Sequence, residues 1–211
     1  VYKRQAVKAI EVGIGMVADL KEKGYNVLAT GEMGIGNTTT SSAVCSVLLD
    51  QSVEKVTGKG AGLTNKDLEH KIEVIRQSIA LNKVNADDPL DVLAKVGGLD
   101  IAGMAGCYIG GAALNIPVFI DGFISSVAAL IAIRLVPECA PYLFPSHCSN
   151  EPAGRMILDA IGKQPYIFAN MCLGEGTGAV MGFTIADYAF KAYWELPSFE
   201  QTNFGTYEEL N

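Results

Sequence analysis

The chain has 211 residues, 49% hydrophobic and only 18% charged, with 16 basic against 23 acidic side chains and a formal net charge of −7. That length suits one large domain or one domain with a small appendage, and the apolar content excludes wholesale disorder. The acid excess excludes a broad attractive field for nucleic acid or an anionic membrane, so an anionic ligand must be met by local positive potential.

Ala6, Ile10, Ile14, Val17 and Leu20 recur at helical spacing and predict a helix over 3–23, ended by Gly24. Residues 26–30 read as a short buried strand, 38–49 as a helix entered from a glycine-rich turn, and 53–57 as a second strand. Thr64 with Asp67 three residues on is a capping signature for a helix ending near Val84. Further helices are predicted over 87–95, 100–114, 125–135, 151–161 and 177–195, with strands over 117–120 and 142–144, and 197–211 reads as a surface tail. Strands alternating with helices indicate an α/β fold, a parallel sheet covered on both faces. In such a sheet ligands bind beyond the carboxyl ends of the strands. Residues 31–38, 58–62 and Asp121-Gly122 fall at those ends and define a candidate site.

Five cysteines, at 45, 107, 139, 148 and 172, contain no C-x-x-C and fit no zinc spacing, which predicts a reduced, cytoplasmic protein. The N-terminus starts an amphipathic helix rather than a signal peptide. The most apolar stretch, 101–120, is broken by Asn115 and Pro117 and reads as soluble core rather than a membrane span.

Gly31-Glu-Met-Gly-Ile-Gly-Asn-Thr-Thr-Thr40 follows a strand and opens a helix, where close backbone approach and unpaired N–H groups suit a phosphate or carboxylate. It is neither a Walker A loop nor a dinucleotide fingerprint. It also fits a plain tight turn with Asn37 or Thr38 as cap. Glu32 is unusual inside an anion loop and calls for a cation or hydroxyl partner. Gly58-Lys-Gly-Ala-Gly62 can form a second backbone nest, and Lys71, on the next helix, can reach back toward it. In Leu173-Gly-Glu-Gly-Thr-Gly178, Glu175 stands among apolar neighbours, a setting that raises a carboxyl pKa and suits a general base. Glu175 or Thr177 equally fits a helix cap. His147 reads as a structural histidine. Gly103, Gly106, Gly110 and Gly111 form a small-residue face for close helix packing, within the fold or across a dimer.

Together these segments resemble the nicotinate-nucleotide:dimethylbenzimidazole phosphoribosyltransferases. The resemblance rests on residues 31–40, 96–106, Asp121-Gly-Phe-Ile-Ser125, Ser146-His with Ser149 and Glu151-Pro152, and 173–178, all in family order. It implies a doubly wound, Rossmann-like sheet with the remnant of a small helical domain. Residues 1–20 and 186–211 would belong with the small domain, and 21–185 would form the nucleotide-binding domain. It implies a homodimer that displaces nicotinate from nicotinate mononucleotide with dimethylbenzimidazole, giving α-ribazole phosphate without metal or cofactor. Glu175 looks like the base that takes the benzimidazole proton. Gly34, Gly36, Asn37, Thr38, Gly60 and Lys71 would hold the nucleotide and its phosphate, with Asp121, Ser149 and Glu151 on the ribose and nicotinate side. Met33 and Leu173 would flank the incoming base, and Glu32 would stand near the ribosyl centre. Family members usually carry a long segment ahead of the position of Val1. The alternatives are therefore a truncated chain that binds nucleotide without turnover, or an enzyme with another acceptor base. Gly62-Leu-Thr-Asn lacks the acidic pair expected after the second glycine loop.

Overall fold

The computed structural model of the protein describes residues 1–60 and 62–202. The periodic apolar stripe at the N-terminus winds α1 (Lys3–Glu22), whose buried face is Ala6, Ile10, Gly13 and Val17. That face lies on α6 (Leu99–Ala113). A Cβ at Gly13 would overlap the Gly103 carbonyl, and one at Gly106 would overlap the Ile10 carbonyl. The two helices therefore touch backbone to backbone. Gly111 instead abuts Ile116 and Val118. The small-residue face is thus used within the fold.

Three short strands, β1 (Leu28–Ala29), β2 (Val118–Ile120) and β3 (Leu143–Pro145), form a parallel sheet in that order. Leu28 pairs with Val118, and Val118 in turn with Leu143. β2 is central and buried at every position, as an apolar run covered on both faces should be. Around the sheet lie α2 (Asn37–Leu48), α3 (Val53–Val56), α4 (Asn65–Asn82), α5 (Pro89–Val96), α7 (Phe123–Leu135), α8 (Gly154–Ala160) and α9 (Thr177–Glu195). The continuous core joins Val44, Leu93, Ile101, Ile120, Leu130 and Ile157. The chain is an α/β protein, as its pattern predicts.

Three expectations need correction. Residues 53–57 are not a strand. Val53 and Val56 are buried while Glu54 and Lys55 are exposed, and the Lys55 N–H donates to the Ser52 carbonyl (3.0 Å), closing a helical turn. The strand at 26–30 shrinks to two residues, and α8 starts at Gly154 because residues 151–154 first form a turn closed by the Gly154 N–H on the Glu151 carbonyl (2.9 Å). Part of the expected tail, residues 203–211, and Ala61 of the second glycine loop lie outside the described residues.

Ladder bonds continue past the strands. The Thr30 N–H donates to the Phe119 carbonyl and the Ser146 N–H to the Ile120 carbonyl, both at 3.1 Å. Gly31, Asp121 and His147 therefore leave the same carboxyl edge side by side. α9 begins against that edge, with Phe183 edge-on to Phe119 (4.6 Å between ring centroids). Further along α9, Tyr188, Phe190, Tyr193 and Trp194 are exposed.

Candidate functional site

The loop after β1 turns on Gly34 and Gly36, with φ of 75° and 79°. The cap of α2 is Gly36, not Asn37 or Thr38. The Asn37 side chain is engaged elsewhere: its Nδ2 donates to Glu32 Oε2 (3.1 Å) and to Asp100 Oδ2 (3.0 Å). Glu32 Oε2 also accepts the Gly34 N–H at 2.5 Å. The carboxylate in the anion loop is thus met by amide donors rather than by a cation or hydroxyl. Burial pushes its pKa up, the bonds from Asn37 and Gly34 oppose this, and the charges of Asp121 and Asp100 add to the rise.

Thr64 caps α4 by accepting the Asp67 N–H (3.2 Å), as predicted, and the helix carries Lys71 inward. The buried Lys71 ammonium donates to Thr38 Oγ1 (3.1 Å) and to the Gly58 carbonyl (3.0 Å), tying the two glycine loops together. An ammonium has three protons, and among the described residues the third has no hydrogen-bond acceptor. The second loop follows α3 rather than a strand, and this lysine is what binds it to the first. Gly58 has no room for a side chain because the Glu151 carboxylate lies against it, and Gly60 (φ 55°) closes on Thr38. Burial raises the Glu151 pKa and lowers that of Lys71, each opposing the other's shift through its charge.

These pieces wall a cleft of about 330 Å³. Of the predicted residues, Glu32, Met33, Gly34, Gly36, Thr38, Gly60, Ser149, Glu151 and Leu173 line it. Asn37 and Lys71 stand behind its walls and brace them. A more open depression of about 610 Å³ adjoins, lined by Thr30, Gly31, Gly176, Val180 and Glu175. Glu32 and Met33 line both.

Glu175 does not have the apolar enclosure expected of it; its side chain is exposed, as are Leu173 and Val180. The cause is local backbone geometry. Gly174, Glu175 and Gly176 all have positive φ (78°, 58° and 76°), which turns the main chain inward and the carboxylate outward. The turn is pinned: the Glu175 N–H donates to the Glu32 carbonyl (2.9 Å). A Cβ on Gly31 would fall 2.6 Å from the Gly176 nitrogen, so the two loops touch main chain to main chain.

Neither Glu175 nor Thr177 caps α9. Asp121 does, from across the fold. Its Oδ1 accepts the N–H groups of Gly178 (2.8 Å) and Ala179 (3.2 Å), and its Oδ2 that of Gly176 (3.0 Å). It is 1% exposed and lines neither cleft, so the expectation that it lines the ribose side is not met directly. A buried carboxylate needs such donors, and the positive end of α9 supplies them. Sequence reasoning also missed Asp100 behind Asn37, the cleft wall at Phe123 and Ile124, and His147, which lines the cleft. The signal that could have found them was the resemblance itself, since 96–106, 121–125 and Ser146-His contain all four.

A family model described as a phosphoribosyltransferase matches residues 1–204. Nicotinate-nucleotide–dimethylbenzimidazole phosphoribosyltransferases from Ruminiclostridium cellulolyticum and Acetivibrio thermocellus are 53% and 50% identical to this chain over 99% and 98% of its length. The chain belongs to this phosphoribosyltransferase family. It spans 59% of the length of each of those two relatives. A crystal structure of CobT from Thermus thermophilus superimposes with a TM-score of 0.89 at 32% identity, covering 95% of this chain and 60% of that one. Among the described residues of this family member, no three His, Cys, Asp or Glu side chains gather as a metal site, and no helix is long and apolar enough to cross a membrane.

Proposed function

We propose that the protein transfers the phosphoribosyl group of nicotinate mononucleotide to a benzimidazole-type base, dimethylbenzimidazole in the first instance, forming α-ribazole phosphate. The observation that carries this is the pair of clefts meeting at Glu32 and Met33, one backed by two glycine loops and Lys71, the other holding Glu175. In this reading the phosphate takes the loop amides, with the positive charge of Lys71 behind the wall drawing it in, and the sugar lies toward Ser149 and Glu151. The leaving pyridinium is already cationic, so nicotinate departs without an acid. Positive charge growing on the ribosyl carbon is stabilised by Glu32, with the buried Asp121 adding to the negative field. The acceptor's bare ring nitrogen attacks the ribosyl carbon from the Glu175 side, between Met33 and Leu173, as the bond to nicotinate breaks with its electron pair, and Glu175 takes the proton carried by the ring's other nitrogen. No metal, cofactor or nucleic acid enters this reaction.

The same reading includes a cytoplasmic homodimer and a Rossmann-like winding. It assigns 21–185 to the nucleotide-binding domain and 1–20 with 186–211 to a small domain; the uncovered apolar residues late in α9 support that division. Incubation of the complete protein with nicotinate mononucleotide and dimethylbenzimidazole tests the proposal. Glu175→Gln is expected to lower turnover by about 10²–10⁴-fold, the usual range for a lost general base. Undiminished turnover in that variant sinks the assignment.

The exposure of Glu175 favours one second reading, that these 211 residues alone bind nucleotide without turning it over. Calorimetry with nicotinate mononucleotide beside a turnover assay separates the two.

A further inference from the structure

His147 is 4% exposed and sits between Gly122, at the end of β2, and Gly178, in the first turn of α9. The Ser146 hydroxyl has a single proton, and the Ile120 carbonyl, 2.8 Å away, takes it. Toward His147 Nδ1, at 3.1 Å, Ser146 Oγ can therefore only accept. That places the imidazole proton on Nδ1 and leaves Nε2 a bare lone pair. Among the described residues no group hydrogen-bonds Nε2, yet the atom is not sealed off: the residue forms part of the cleft wall. An acceptor that opens into a cleft and has no partner among the described residues is available to a donor on the ligand.

We infer that His147 accepts a hydrogen bond from a ribose hydroxyl of the bound nucleotide and so selects for ribose, an inference that rests on the transferase reading above. The chemistry of nicotinate mononucleotide narrows the choice. Its carboxylate and ionised phosphate only accept, so the two ribose hydroxyls are its donors. The benzimidazole N–H belongs on the other side, where Glu175 stands. The neutral imidazole suits this task, since desolvation lowers its pKa and Asp121 opposes only in part.

The test is binding of nicotinate mononucleotide and of its 2′-deoxy and 3′-deoxy analogues to the complete protein, as wild type, His147→Asn and His147→Gln. Asparagine keeps a donor for Ser146 but places nothing at the Nε2 position; glutamine places an acceptor oxygen there. The wild type is expected to bind one deoxy analogue about 10-fold more weakly than the parent, as for a lost hydrogen bond to a buried group. His147→Asn is expected to erase that ratio and His147→Gln to restore it. A wild type that binds all three equally, or a His147→Asn variant that keeps the ratio, overturns the inference while leaving the transferase reading intact. Failure of the wild type to bind the parent nucleotide overturns both.

Discussion

Asp121 makes three hydrogen bonds to main-chain N–H groups and, as placed, touches nothing in either cleft. Replacing it with alanine leaves those donors buried, and a charge-assisted bond contributes about 1.5–3 kcal/mol. Asp121→Ala is therefore expected to lower unfolding stability by about 3 kcal/mol, read by denaturant titration. Loss of the pinned 174–176 turn should cut turnover as well, with Asp121→Asn retaining part of both. Glu32 gives the opposite sign. Its folded pKa lies above the unfolded value, so between the two the folded state binds more protons and stability falls as pH rises. The penalty is fully present above the folded pKa and absent below the unfolded one. Glu32→Gln should raise the melting temperature at pH 7–8, show no gain near pH 4, and lose activity throughout. An equal gain at both pH values would show that its charge is not what strains the site. Residue types were legible in the sequence here, but partners were not. Asp121 caps a helix that starts 56 residues later, and no local pattern encodes that contact.

Long helices were readable where burial repeats every three to four residues, as in α1, or where a cap marks the start, as Thr64 does for α4. α3 was not, since four residues hold barely one period and Val53 with Val56 also suits a strand. The small-residue face on α6 was visible, but its partner was found only in three dimensions. That contact makes a paired prediction. Gly106→Ala forces a methyl onto the Ile10 carbonyl and should destabilise by about 3 kcal/mol, at the upper end of overpacking costs. Gly15→Ala, with no atom within 4 Å of the added methyl, should stabilise by about 0.5–1 kcal/mol through helix propensity. Thermal melts of the two variants check both signs. If Gly106→Ala is neutral, α1 does not sit on α6 as described.

Over the whole molecule, the carboxyl edge of one three-stranded sheet collects loops from residues 31–36, 121–122, 146–151 and 174–176. That convergence follows from a parallel sheet, which is why the site's location was legible although the second glycine loop arrives by another route, through Lys71. The other global feature is the uncovered aromatic run of α9, with Tyr188 67%, Tyr193 76% and Trp194 77% exposed. Apolar patches of this kind drive association. The 211-residue chain alone should self-associate in sedimentation experiments, and Tyr193→Ser with Trp194→Ser should shift it toward monomer. A wild-type monomer at high concentration would refute this.

Contact between Gly31 and Gly176 has a bearing on how acceptor choice could change. Under the proposed chemistry, the span from sugar to proton acceptor is set by peptide against peptide, with no side chain in between to lengthen or shorten it. The walls on either side, Met33 and Leu173, are free of that constraint. New heterocycles can then be admitted by reshaping those two residues while the alignment of the reacting atoms stays fixed.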